Sequence, residues 1–445
     1  MSRAPAVNFA EFNKEWISRI SACRDKLHER NASGKVRAFL DSYDGHAFHI
    51  LPIPAVFRRE DYEALVDAGR TLLSAQTKII RHLCDALGRE GVLRLFRVPA
   101  GMVPLIDWDE LIQGDRIVSR FDVVPADDGY YFCEINTDSS VAGSEIFDCL
   151  QVFADALDWS LADGFHSPNA DKAQLVRKLV VQKGLERVLI FGLHMYEHLG
   201  FPSFELEKAY FQAALPDIAV DIVDEFTYPE ALLLPEHGAK TLVYRIGVYE
   251  DMTCQDLLER MVASGATIVN TFESAIRMDK AWFSLFHDAR YQAVLDAREI
   301  AAIRLYVPYT FHLAETELDS VLAAKDGYVF KLNHSYGGAG VLLGLEHDAA
   351  ALRAELLKRG IDNWIVQRLI SFRGIDMPQD DSFEPATHNL VLAFFLIDGK
   401  AGGMMVRASR SSRVVNVSQG TAKMVWAVPV DSDDRSRLLD ELERR

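Results

Sequence analysis

The chain has 445 residues, 49% hydrophobic and 25% charged, with a formal net charge of −17. That length predicts two or three domains with ample core, and the acidic balance argues against nucleic acid or an anionic membrane as the main partner. Five cysteines (Cys23, Cys84, Cys133, Cys149, Cys254), scattered and without a CxxC pair, argue against a zinc or disulfide framework and for a reducing compartment.

No apolar run reaches membrane-spanning length, and MSRAPAVNFAEFN lacks the apolar core of a signal peptide, so the expected location is cytoplasmic. Asn8 can cap a helix whose apolar positions Phe9, Phe12, Trp16, Ile20, Cys23 and Leu27 follow helical spacing. A second helix is expected from about Asp61 to Leu87, burying Leu65, Leu72, Leu73, Ile79, Ile80 and Leu83. These residues read as structure.

From Arg120 to Asp138 the sequence is RFDVVPADDGYYFCEINTD, two β-prone runs around Asp128-Gly129, a strong hairpin signal. Pairing places Asp122 near Glu134 and Asn136. Residues two apart share a strand face, so Glu134, Asn136 and Asp138 should point one way, with Tyr131, Cys133 and Ile135 packed on the other. Hard oxygen ligands on one face beside Arg120 suit Mg²⁺ bridging phosphate oxygens, although a solvated polar face would look the same. Beyond it, Ser144–Leu161 reads as an amphipathic helix and 164–171 as a linker.

Between Arg187 and Thr271 short apolar runs (Val188–Phe191, Val220–Val223, Leu242–Val248, Thr267–Val269) alternate with helical stretches, the pattern of a parallel sheet in an α/β layer. There is no GxGxxG after the first run and no GxxxxGK[ST] anywhere. His194 and His198 lie four apart without the adjacent glutamate of a zinc helix. In the last third, the strand Tyr328–Leu332 leads into NHSYGGAGV (333–341), where Gly337, Gly338 and Gly340 permit a backbone that turns N–H groups towards oxygens, with Lys331 at its base. Further strands are expected at Trp364–Ile370, Asn389–Asp398, Ala401–Ala408 and Arg413–Val417, the last carrying Asn416.

These motifs, in this order, resemble the ATP-grasp ligases in the circularly permuted form seen in the synthetase domain of glutathionylspermidine synthetase. The likeness is carried by Arg120 and Asp122 followed by Glu134, Asn136 and Asp138; by Lys280 in MDKAW; by Lys331 and the glycine loop; by Gln367 in IVQRLI; and by Arg407 in GGMMVRAS. It spans roughly Arg120 to Val428. It implies an α/β (α+β) ATP-grasp fold, circularly permuted, divided into a helical N-terminal region (1–115), a metal-binding hairpin and helix of the core (116–165), an α/β domain preceding the lid (187–275), and the lid and core (276–445).

The resemblance further implies ATP and Mg²⁺ as cofactors. Asp122, Glu134 and Asn136 would hold the metal. Lys280, Lys331, Ser335, Gly337 and Gly338 would hold the phosphates, and Gln367, Arg368, Leu369 and Ile370 would form the hinge at adenine. Arg120 and Arg407 would stabilise charge on the transferred phosphoryl group, and Ser139 and Ser140 would contact an acyl substrate. The implied reaction joins a small carboxylic acid to an amine (an amino acid, peptide or polyamine) through an acyl phosphate. Alternatives remain open at this point: a nucleotide-binding protein or small-molecule kinase of the same fold without ligation, or a Mg²⁺-dependent hydrolase or binding module using only the 120–138 face. The relative's amidase domain has no counterpart here, and its substrate pair does not carry over.

Overall fold

The computed structural model describes residues 9–43, 49–114, 118–137, 143–144, 146–159, 167–195, 203–335, 338, 340–371, 374–415, 417 and 422–444. Asn8, Asp138, Ser139, Ser140, Gly337 and Asn416 lie outside them. The apolar spacing at the start forms the helix Phe9–Ala22, burying Phe9, Phe12, Trp16, Ile17 and Ile20. It breaks at Cys23, so Leu27 belongs to a second short helix, Arg24–Glu29. The expected Asp61–Leu87 helix starts at Arg59 and its helical backbone stops at Gly88 (φ 67°, ψ 172°), across which a second helical stretch continues the element to Leu95. The N-terminal region is not purely helical: it also supplies a strand, β1 (Ala55–Arg58).

The hairpin forms as its turn chemistry predicts, with β2 (Val118–Ala126) antiparallel to β3 (Gly129–Asn136). The expected Ser144–Leu161 helix is shorter, Ile146–Ala156. The expected linker instead opens a helix, Pro168–Lys183. Ser167 accepts from the Asn169 N–H as its cap, and Pro168 takes the first helical position, where its missing N–H costs nothing.

The alternating segment folds as expected into a parallel sheet of β4 (Arg187–Phe191), β5 (Ala219–Val223), β6 (Thr241–Arg245) and β7 (Thr267–Val269), in the spatial order β5-β4-β6-β7. A second four-stranded sheet, antiparallel, takes β8 (Thr310–His312), β9 (Tyr328–Leu332), β10 (Val341–Leu343) and β11 (Trp364–Arg368) in the order β10-β9-β11-β8.

The remaining strands, β12 (Ile375–Pro378), β13 (Pro385–Ile397), β14 (Lys400–Ser409) and β15 (Lys423–Val430), return to the hairpin. Together they build a seven-stranded sheet, β1-β15-β14-β13-β2-β3, with β12 paired to β13. The last strand is therefore Lys423–Val430; Arg413–Val415 is irregular. Pro429 is tolerated because β14 has already left the ladder at Met404↔Ala427, and Pro429 lies opposite Phe57 of β1.

One face of this sheet packs on the Arg59–Leu95 helix. Phe121, Phe132 and Phe394 cluster there, the rings of Phe121 and Phe394 stacking at 5.2 Å. Gly69 lets the helix approach, since a Cβ at that position would lie 3.0 Å from the Phe394 ring. Among the described residues no helix is long and apolar enough to cross a membrane.

Candidate active site

The opposite face of the same strands carries charge. Asp122 pairs with Glu134 and Arg120 with Asn136, as the hairpin register requires. A bulge then interrupts the ladder, because Val123 pairs with Phe132 and leaves Cys133 as the extra residue. The slip changes the expected facing. Tyr131 and Cys133, assigned by alternation to the packed side, line the same cavity as Glu134, while Ile135 stays in the core. A one-residue slip flips every later side chain, so simple alternation could not reveal this.

Asp122 is almost fully buried between two guanidiniums, with Arg120 Nε 3.0 Å from one oxygen and Arg407 Nη2 2.6 Å from the other. Arg407 reaches it from β14 across β13, where the residue opposite Asp122 is Ala393, which presents only a methyl. Burial pushes the Asp122 carboxyl up, but Arg120 and Arg407 overcome it and hold the group below its ordinary value. For Arg407 burial acts downwards, and Asp122 and Glu134 more than restore the charged form. Among the described residues nothing accepts from Arg407 Nε, a buried donor.

Two lysines arrive from elsewhere in the chain. Lys280 Nζ lies 2.9 Å from Glu134 Oε1 and also donates to the Ser335 carbonyl. Lys331, on β9, crosses to the hairpin and donates to the Cys133 carbonyl (2.7 Å) and to Gln367 Oε1 (2.8 Å). Gln367 in turn donates to Thr310 Oγ1 at 3.0 Å, so its side chain orients Lys331. Burial lowers the Lys331 ammonium below the usual lysine value, and pushes the neighbouring Cys133 thiol up to about 12, too high for a thiolate at neutral pH.

The glycine loop is tied to the Lys280 segment at its base. Lys280 N–H donates to the Asn333 carbonyl at 3.1 Å, and His334 Nε2 stands 2.9 Å from Asp279 Oδ2. Burial lowers the His334 imidazole, but the hydrogen bond and charge of Asp279 outweigh it and raise the group above its ordinary value. Gly340 (φ 77°) closes the loop, where a Cβ would lie 2.5 Å from Leu332 Cδ1. Ser335 Oγ and Asn333 Oδ1, both buried, have no partner among the described residues.

These groups surround one cavity of about 260 Å³ between the seven-stranded sheet and the β8–β11 sheet. Asp122, Glu134, Lys280, Lys331, Gly338, Gln367, Arg368, Leu369, Ile370 and Arg407 all line it. Three expected residues do not. Arg120 acts through Asp122, Ser335 through Lys280, and Asn136 donates its amide to the Arg120 carbonyl at 3.3 Å.

At the hinge, the N–H groups of Arg368 and Leu369 are already given to the Tyr309 and Gly327 carbonyls. The Arg368 guanidinium stands 5.5 Å from the Tyr131 ring centroid. The sequence reading missed Tyr131, Val124, Asn389 and Arg413–Val415 as lining residues. Arg413, Val414 and Val415 fall in the expected strand Arg413–Val417, and no motif marks the others.

Among the described residues no three His, Cys, Asp or Glu side chains converge as a metal cage. The available donors in the cavity, the oxygens of Asp122 and Glu134, are hard, and a carboxylate oxygen engaged by one guanidinium keeps a further lone pair. That chemistry fits Mg²⁺ shared with phosphate oxygens better than a closed protein cage.

The fold is mixed α/β. No family model matches the sequence, and no curated protein matches it. Among solved structures the chain is similar to a glutathione synthetase-like effector from Globodera pallida, in its apo form, with a TM-score of 0.57 and 13% identity over 91% of this chain and 97% of that one. At that identity the likeness concerns the fold.

Proposed function

We propose that the protein is an ATP-dependent carboxylate–amine ligase of the circularly permuted ATP-grasp type. The observation that carries this reading is the convergence of Lys280, Lys331, Arg407 and, through Asp122, Arg120 on one cavity of a strongly acidic chain. Among the described residues five cations line the cavity (Lys280, Lys331, Arg368, Arg407 and Arg413) against two carboxylates (Asp122 and Glu134), an excess that suits a polyphosphate. The apolar part of the same cavity, with Val329, Val341 and Leu343, suits a base lying beside the hinge residues.

In this reading Asp122 and Glu134, the expected ligands that line the cavity, would hold Mg²⁺, which when bound neutralises phosphate charge. Lys331 and Lys280 hold phosphate oxygens as point charges, Lys331 with its ammonium fixed by Gln367. Since the Arg368 and Leu369 N–H groups are engaged, they are not the groups that would meet adenine. Arg407 reaches the reacting phosphoryl group with its unpaired Nε–H, while Asp122 steadies the rest of its guanidinium. Gly338 lines the cavity, and keeping water from it would spare an acyl phosphate from hydrolysis.

A panel of amino acids, peptides and polyamines, each acid paired with each amine and assayed for ADP, tests the reading. ADP release that requires acid and amine together supports ligation. ADP formed with acid alone, with no hydroxamate on adding hydroxylamine, would replace it by a kinase.

A further inference from the structure

A second cavity, of about 290 Å³, lies among the helix Ala32–Asp41, residues 49–52, the turn 379–381 and β15. Its volume sits at the low end for small-molecule sites, roughly 300 Å³ and upwards. Ser33, Val36, Arg37 and Leu40 line it from one side of the helix, the spacing that presents a single face. Val36, Leu40, Leu51, Phe153 and Trp426 are buried and make its inner surface apolar. The buried indole N–H of Trp426 has no acceptor among the described residues.

The rim carries both signs: Arg37, His49 and Lys423 against Asp380 and Asp381. Lys423 is half-buried and braced by the Gln379 carbonyl at 2.8 Å. Asp380 is held ionised, its carboxyl kept below the usual value by hydrogen bonds from Ser382. An apolar interior with cations and carboxylates together at its mouth matches neither a nucleotide nor a purely apolar ligand. It matches a molecule with an ammonium, a carboxylate and an apolar body.

We propose that this cavity is a binding site for a small zwitterion, an amino acid whose carboxylate meets Arg37 and Lys423, whose ammonium meets Asp380 and Asp381, and whose apolar side chain lies against Phe153 and Trp426. The site lies on the same face of the seven-stranded sheet as the first cavity. Arg407 is opposite Met424 in the β14–β15 register, and Trp426 follows on the same face. The proposal stands on this cavity alone and does not need the ligase reading.

Calorimetric titration of the full chain with L-phenylalanine and L-leucine, without nucleotide, tests it. Saturable one-to-one binding is expected, weakened about tenfold or more by Arg37→Ala, by Lys423→Met and by Asp381→Asn, as loss of a charge-assisted hydrogen bond requires. These rim positions are exposed or half-buried, and unchanged melting curves would show that the variants fold. 3-Phenylpropanoate and phenethylamine, each lacking one charge, should bind at least about tenfold more weakly. No saturation at millimolar amino acid, equal affinity in all three rim variants, or equal affinity for the uncharged-end analogues would each overturn the assignment.

Discussion

The two faces of β2, β3 and β13 are made by the same strands and serve opposite ends. On one, Phe121, Phe132 and Phe394 pack together against the long helix with no polar group to satisfy. On the other, Asp122 lies between Arg120 and Arg407, a buried ionic cluster whose desolvation offsets most of its attraction. Replacing such a cluster by apolar side chains is often neutral or stabilising, so stability alone does not account for it. The aromatic face holds the sheet together, and the charged face is the one on which we propose that a ligand binds.

Substitutions on each face should separate the two. On the charged side, Glu134→Gln should take turnover to background while leaving the melting temperature close to wild type, because Glu134 is partly exposed and outside the core. Normal turnover in that variant would remove Glu134 from the metal site. On the aromatic side, Phe394→Ala should cost about 3–5 kcal/mol of stability in urea unfolding. A loss below about 1 kcal/mol would mean that the cluster is not what holds the sheet.

A smaller effect is expected from Lys331→Met, which keeps the stem and removes the ammonium. Nucleotide should bind about tenfold more weakly in equilibrium titration, with the fold retained. Unchanged affinity would place the phosphates elsewhere.

The smallest effect comes from His334. Its folded pKa lies above the unfolded value of about 6.5. The pairing with Asp279 therefore contributes fully below that pH and fades as pH rises through the higher folded value. Stability should fall between pH 6 and pH 9 by less than about 1 kcal/mol, since about a third of the side chain is exposed, and His334→Gln should flatten the profile. A profile that is identical in both proteins would show that the pair does not hold the loop.

Both faces were partly legible in the sequence. Asp-Gly between β-prone runs fixed the hairpin, and with it the pairing of Asp122 with Glu134. The parallel sheet of 187–269 followed from its alternation with helices. The bulge at Cys133 left no mark, because one extra residue changes facing without changing composition. Arg407 could be placed on a strand, but its grip on Asp122 depends on β13 lying between them with a small residue at position 393. Four residues, Ala55–Arg58, are too few for a periodic signal, and Pro429 within Lys423–Val430 reads against a strand until β14 is known to leave the ladder at Ala427.

The pairing of Ala55 with Ala427 sets a schedule for biosynthesis. Contacts between such distant parts of the sequence are slow to close. A ribosome delivers β1 and the hairpin long before β13, β14 and β15 exist, so the aromatic side of Phe121 and Phe132 waits uncovered by Phe394 during translation. The nascent chain is therefore most prone to aggregate in that interval, and chaperone dependence should centre on it.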